Sequence, residues 1–243
     1  MQLINRGAEP SLDVMKADAL TAFRILKAGG VAVLPFDVSY AIFGHTSLAV
    51  ERVYELKNRT PTKPNGVVGN WDVFNAVMAT TERDKALVKC ITQDYDLPLS
   101  IVAPFRRDHE WLQTSDFGAV RRSTKGDTMD LLLNAGVIHN ELARLSWESC
   151  TPLFGSSANK SLSGSKFELE DVEDELKAGC DIVIGYGRSK YANKYQIGST
   201  IIELPSWKVL RFGGCYERQA EIIRKHFDVE LPPRPATGSM SLV

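Results

Sequence analysis

Residues 151–164 read TPLFGSSANKSLSG. The apolar approach of residues 152–154 ends at Gly155, and small hydroxyl and amide side chains follow. This pattern predicts a buried strand that opens into a polar loop whose backbone can come close to a ligand. Lys160 adds a cation, so the loop suits an anion such as a phosphate or a carboxylate. Serine, asparagine and glycine are also ordinary surface-turn residues, so the segments around this loop decide between the two interpretations.

A second strand with a loop at its end is predicted near the N-terminus. Residues 12–28 have helical apolar periodicity, and Gly29 and Gly30 end that helix. The apolar run Val31–Pro35 then predicts a strand that is buried on both faces. Residues 36–44 are predicted as a loop at its end, where α/β proteins bind their ligands.

A pair of cations follows the next predicted helix, which starts near Ser47. Lys57 and Arg59 stand at its end, just before Pro61 and Pro64. Cations at this position can simply complement the helix dipole. They can equally form a clamp on a polyphosphate, with arginine as a bidentate donor and lysine as a point charge.

The remaining pattern predicts an α/β fold with a twisted, open, mixed β-sheet flanked by helices. The predicted domain is residues 1–228, and residues 229–243 are predicted as a flexible C-terminal tail. The further predicted strands are residues 66–69, 97–104 and 181–185, with a hairpin of 198–203 and 207–213, and residues 117–122 form a strand-to-loop edge with Arg121 at its mouth. The further predicted helices are residues 71–79, 82–93, 128–145, 169–178 and 216–226.

Composition and motifs exclude several classes of protein. The formal net charge of −1 argues against a generally basic, nucleic-acid-binding chain. No apolar run is long enough to span a bilayer, and four scattered cysteines indicate reduced thiols, so a cytoplasmic location is predicted. The sequence has no P-loop, no dinucleotide fingerprint and no GxSxG elbow. Its dispersed histidines and cysteines predict no zinc site.

In this order, the segments resemble the YrdC/YciO family, whose best-known members are threonylcarbamoyl-AMP synthases. The similarity covers roughly residues 12–220. It rests on the strand that ends in Pro35 with Asp37 and Tyr40, on Tyr-Glu-Leu-Lys-Asn-Arg, on Pro98-Leu-Ser, on Gly-Ala-Val-Arg121, on Ser157-Ala-Asn159, on Ser199-Thr200 and on Leu-Arg211-x-Gly213.

The resemblance implies a YrdC-like fold and an active site at named positions. It implies catalytic roles for Lys57, Arg59, Ser157 and Asn159. Nucleotide binding is implied for Lys57, Arg59, Asn159 and Arg211, and amino-acid binding for Asp37, Tyr40, Arg121 and Ser199. The implied reaction joins ATP, bicarbonate and an amino acid, with Mg²⁺ held mainly through the phosphates and no metal ligand from the protein. The products are a carbamoyl-adenylate and pyrophosphate.

The first loop departs from the family pattern. Phe36 and Val38 replace two threonines, and Ala41 replaces a glycine. Lost hydroxyls reshape recognition, because a site's hydrogen-bonding groups discriminate most strongly between substrates. One interpretation is an enzyme with a changed amino-acid or amine acceptor. A second is an ordinary L-threonylcarbamoyladenylate synthase that serves the modification of tRNA adenosine 37. A third is a non-catalytic member that binds nucleotide, or weakly binds RNA, through local cations: Arg121, Arg122, Lys125, Lys190 and Lys194.

Overall fold

The computed structural model describes residues 1–7, 10–60, 62–113, 115–161 and 163–236. The strands in this part of the chain are β1 (Gln2–Asn5), β2 (Ala32–Phe36), β3 (Ser39–Gly44), β4 (Gly66–Gly69), β5 (Leu99–Pro104), β6 (Thr124–Lys125), β7 (Thr128–Leu133), β8 (Phe154–Ser157), β9 (Ile182–Gly185), β10 (Ile201–Glu203) and β11 (Lys208–Arg211). They form one mixed sheet in the order β1-β9-β2-β3-β8-β4-β7-β5-β10-β11, and β6 pairs with β7 off this path. The predicted α/β fold with an open mixed sheet is therefore confirmed.

The helices lie on both sides of the sheet. They are α1 (Leu12–Lys27), α2 (Ser47–Leu56), α3 (Trp71–Val77), α4 (Glu82–Lys89), α5 (Glu110–Gln113), α6 (Phe117–Arg122), α7 (Val137–Glu148), α8 (Asp174–Ala178) and α9 (Tyr216–Phe227), with a π-helix at Cys90–Asp94 and a 3-10 turn at Leu169–Asp171. None of these helices is both long and apolar enough to cross a membrane.

Strand β2 shows how the sheet is covered. Ala32 and Leu34 pack against α1 and α7, whereas Val33 packs in a separate cluster with residues of α2 and α8. Because successive side chains of a strand point to opposite faces, an apolar run of this kind needs cover on both sides. The prediction of a strand buried on both faces is confirmed at this position.

The predicted loop over residues 36–44 is wrong. After a turn at Asp37–Val38, the chain reverses as β3, which pairs antiparallel with β2 and then with β8. Tyr40 and Ile42 are fully buried on one face of β3. The alternation of side chains is hidden in the sequence because Ala41 and Phe43 on the other face are apolar too.

Two further predictions around residue 120 are wrong. Residues 117–122 form helix α6, whose first turn is capped by the Asp116 carboxylate: Gly118 N donates to Asp116 Oδ1 at 3.0 Å. The helix predicted over residues 128–145 begins instead as strand β7, and α7 starts only at Val137. Strand β7 lies between β4 and β5, and pairing on both edges outweighs the helical propensity of its leucines.

The segment predicted as a flexible tail contacts the domain where it is described. The guanidinium of Arg234 donates to Gly213 O at 2.8 Å and pairs with Glu217 at 2.5 Å. Tyr216 Oη donates to Pro232 O, and Leu231 packs against the core. Residues 237–243 lie outside the described residues, and flexibility of the tail stays a prediction.

Gly155 should be among the least replaceable residues of the sheet. A Cβ atom at this position of β8 would lie 2.0 Å from Ile42 O, so either the β3–β8 pairing or the strand itself must move. We expect Gly155→Ala to lower the free energy of unfolding by about 3 kcal/mol or more. The measurement is urea unfolding of Gly155→Ala compared with Ser156→Ala. Ser156→Ala is the matched control, because it removes only a hydroxyl that is buried without a hydrogen-bond partner among the described residues. Equal stability of the two variants would contradict this close packing.

Candidate functional site

Two adjoining cavities form a single cleft on the sheet face that carries α1 and α7. The larger measures about 550 Å³ and the smaller about 130 Å³. They share four lining residues: Arg59, Pro64, Asp130 and Arg211. The cleft lies over the part of the sheet that those two helices leave uncovered, so the strands themselves supply its floor.

Strand alternation places polar side chains on this floor. In β5, Leu99 and Ile101 point to the core while Ser100 faces the cleft. In β7, Leu131 points to the core while Asp130 faces the cleft. The smaller cavity is lined by hydroxyls from several segments: Ser39, Ser100, Ser156, Ser157, Ser165 and Ser199. The cleft can therefore offer neutral hydrogen-bond donors over a short distance.

Arg211 is held at one side of this hydroxyl cluster. Its Nε donates to Ser199 O at 2.7 Å, and its Nη2 donates to Ser199 Oγ at 2.8 Å. Ser199 Oγ also lies 2.9 Å from Ser100 Oγ. Arg211 Nη1 has no hydrogen-bond partner among the described residues, so one end of the guanidinium is available to a ligand.

Arg59, like Arg211, lines both cavities of the cleft. The chain after α2 turns so that Arg59 Nη2 donates to Pro64 O at 2.7 Å and Nε donates to Lys63 O at 3.2 Å. The guanidinium also lies 5.9 Å from the centre of the Tyr54 ring. These contacts fix a long side chain in advance, which lowers the entropy lost when a ligand binds.

Lys57 is not on the surface of the cleft. Its side chain is 1% exposed, and Nζ donates to the backbone carbonyls of Ser157 and, at 2.7 Å, of Asn159. Burial, together with the positive charge of Arg59, lowers the pKa of Lys57 to about 7. Lys57 thus ties the end of α2 to the serine loop.

Ser157 and Asn159 lie close together in that loop. Ser157 Oγ donates to Asn159 Oδ1, and Asn159 Nδ2 donates to Lys160 O at 2.6 Å. Ser157 lines the smaller cavity, whereas Asn159 lies behind it and is buried. Of the four residues predicted as catalytic, Arg59 and Ser157 line the cleft, while Lys57 and Asn159 support Ser157 from behind.

Asp130 is a cleft residue that the sequence-based prediction missed. It lies at the junction of the two cavities, and its Oδ1 is buried without a hydrogen-bond partner. Burial raises the pKa of this carboxyl to about 6, and the charges of Arg211 and Arg59 oppose that shift. The available signal was the short alternation of Thr128 and Asp130 with Met129 and Leu131, which the following leucines and a helical interpretation of the segment conceal.

The residues predicted to bind an amino acid do not come together. Ser199 lines the cleft, but Asp37 lines a separate cavity of about 550 Å³ beside the start of α7. Tyr40 is buried in the core, where Oη donates to Gly187 O at 2.8 Å. Arg121 is exposed on helix α6 and lines none of the cavities described here. The prediction of Arg121 at the mouth of a strand-to-loop edge is wrong, because residues 117–122 form helix α6.

The charges that line the cleft favour an anion. Four cations face two carboxylates: Arg59, Lys63, Lys125 and Arg211 against Asp130 and Glu203. Among the residues that the structure describes, no group of three or more His, Cys, Asp or Glu side chains could hold a metal ion. A Mg²⁺ ion that enters with bound phosphates needs only one or two carboxylates from the protein, and this donor set fits that requirement.

A family model described as Sua5_yciO_yrdC, telomere recombination, matches residues 24–213. No curated protein sequence matches the chain.

Three solved structures share the fold. Sua5 of P. abyssi, crystallised with L-threonine, has a TM-score of 0.69 at 19% identity over 96% of this chain and 63% of its own. The hypothetical protein smu.1377c from Streptococcus mutans UA159 has a TM-score of 0.75 at 21% identity over 95% of this chain and 97% of its own. Full-length HypF in its phosphate- and nucleotide-bound form has a TM-score of 0.61 at 15% identity over 83% of this chain and 29% of its own. The present chain therefore spans less than two thirds of the P. abyssi protein.

Proposed function

Because the chain belongs to the Sua5/YciO/YrdC family, we propose that it is an ATP-dependent enzyme that makes a carbamoyl-adenylate. In this reaction, bicarbonate and an amine give a carbamate and water. A carbamate oxygen then bonds to the α-phosphorus of ATP, the bond between that phosphorus and the bridging oxygen breaks, and pyrophosphate leaves with the electron pair. The acceptor amine belongs to an amino acid or to another small molecule.

The observation that carries the proposal is the pair of fixed guanidinium groups that line the cleft beside a cluster of neutral hydroxyls. Arg59 and Arg211 both line the junction of the two cavities, and each already has part of its guanidinium fixed by the protein. Two anions react here, and the leaving group gains charge. Preorganised cations and neutral donors are what such a phosphoryl transfer needs most.

Each part of the cleft has a role in this proposal. Arg59 and Arg211 hold the phosphates, and Ser157 orients the carbamoyl oxygens with support from Asn159. The apolar residues Val102, Ile201 and Leu210 of the larger cavity offer a surface for the base. Mg²⁺ bound with ATP supplies further neutralisation of the phosphate charge. The nucleotide-bound form of HypF supports a nucleotide site in this fold.

The smaller cavity, which would hold the acceptor, favours a changed acceptor over threonine. Its wall contains the apolar side chains of Phe36, Val38, Phe43 and Leu132. Phe36 and Val38 stand where the family pattern has two threonines, so this part of the wall lacks the hydroxyls that the pattern places there. L-Threonine, which the P. abyssi protein was crystallised with, remains the second candidate.

Pyrophosphate release tests the proposal. Purified protein is incubated with ATP, Mg²⁺ and bicarbonate, and with a panel of amino acids and amines that includes L-threonine. We expect release that depends on both bicarbonate and one class of acceptor. Release with threonine alone would assign the ordinary synthase activity. No release across the panel, with ATP still bound, would contradict an enzyme and favour a nucleotide-binding protein.

A further inference from the structure

The Asp130 carboxylate presents an electrostatic problem at the centre of the cleft. It lies where the two cavities meet, and neither arginine forms a salt bridge with it among the described residues. Arg59 donates to Lys63 and Pro64, and Arg211 donates to Ser199. Asp130 Oδ1 is therefore buried without a hydrogen-bond partner, and only the nearby positive charges of Arg211 and Arg59 offset the burial of the carboxyl.

The proposed ligand makes this problem worse. Phosphates held between Arg59 and Arg211 would lie beside Asp130, and two anions at short range repel each other strongly in a partly buried site. Either a proton or a cation must lie between the carboxylate and the phosphates. Mg²⁺ suits this position, because it is commonly bound through one or two carboxylates together with the phosphates of a substrate.

We infer that Asp130 is the protein's ligand for the Mg²⁺ ion that accompanies ATP in this cleft. The inference rests on the proposed function, because it needs ATP phosphates between the two arginines. It assigns a metal-binding role to a residue of β7 that no sequence motif marked. Glu203 lines the larger cavity only, and its Oε2 accepts from Ser206 Oγ at 2.7 Å, whereas Asp130 lies where the two cavities meet.

The decisive experiment measures how Mg²⁺ changes the affinity for ATP. Calorimetric titration at pH 7.5, with Mg²⁺ or with EDTA, gives two dissociation constants for each variant. In the wild type, we expect Mg²⁺ to tighten ATP binding by about tenfold or more. In Asp130→Asn, Mg²⁺ should change affinity by less than about twofold, and Mg²⁺-free ATP should bind more tightly than it does to the wild type.

Glu203→Gln is the matched control and should retain the coupling of the wild type. Asp130→Ser, which is smaller, should lose the coupling as Asp130→Asn does. Wild-type coupling in both Asp130 variants would overturn the inference and leave the ATP site standing. A wild-type protein that binds no ATP, with or without Mg²⁺, would overturn the proposed function and this inference with it.

Discussion

Arg211→Ala should weaken ATP binding by about 100-fold or more while the protein stays folded. The substitution removes a cation from the junction of the two cavities. It also removes the donors that hold Ser199 O at 2.7 Å and Ser199 Oγ at 2.8 Å, so the hydroxyl cluster loses its orientation. Calorimetric titration with Mg²⁺-ATP measures the loss, and circular dichroism checks the fold.

Arg121→Ala is the control for this prediction. The family resemblance implied a binding role for both arginines, but Arg121 is exposed on α6 and lines none of the cavities described. Its replacement should leave the dissociation constant for ATP, and the Michaelis constant for the acceptor, within about twofold. A large rise in the Michaelis constant for the acceptor in Arg121→Ala would contradict the placement of Arg121 outside the site.

Lys57→Met should lower the rate of pyrophosphate release by about 100-fold, although Lys57 does not line the cleft. Its Nζ is a donor to the carbonyls of Ser157 and Asn159, and methionine cannot replace it. Without that tie, the loop no longer holds Ser157 in place, and small displacements of positioning groups are costly in catalysis. Steady-state kinetics should show the loss mainly in kcat. An unchanged kcat would contradict the role of Lys57 as a positioning residue.

The wild type and Lys57→Met should differ in how their free energy of unfolding depends on pH. The pKa of Lys57 falls to about 7 in the folded chain, against an unfolded pKa near 10.4. Between these values the unfolded chain holds one more proton, so Lys57 makes the folded state more stable as the pH rises. From pH 7 to pH 9, the wild type should gain about 2 kcal/mol relative to Lys57→Met in urea unfolding. A difference that does not change with pH would show that Lys57 titrates normally.

The sequence predicted the fold well where burial alone determines it. The apolar run at residues 31–35 lies between two helical layers, and any other arrangement would expose it to water. The sequence predicted the fold less well where hydrogen bonds to distant strands determine the conformation. Residues 128–133 have the composition of a helix, and their strand conformation depends on hydrogen bonds to β4 and β5.

The same dependence on pairing with distant strands explains which of the predicted site residues line the cleft. Arg59, Ser157, Ser199 and Arg211 line the cleft, because each lies beside a strand or turn that the sequence pattern located, and their roles stay predictions. Asp37 and Tyr40 come directly after strand β2 but do not line the cleft. The chain reverses after β2 into β3, so Asp37 faces a separate cavity and Tyr40 is buried in the core. Asp130 could be found only once its segment was known to be a strand.

A crystal structure of the protein with Mg²⁺ and a non-hydrolysable ATP analogue would show whether the cleft lined by Arg59 and Arg211 binds ATP. We expect the phosphates to lie between the two guanidinium groups, with the base beside Val102 and Ile201. Nucleotide bound in the separate cavity beside Asp37, or a cleft still empty of nucleotide at a saturating concentration of the analogue, would contradict it.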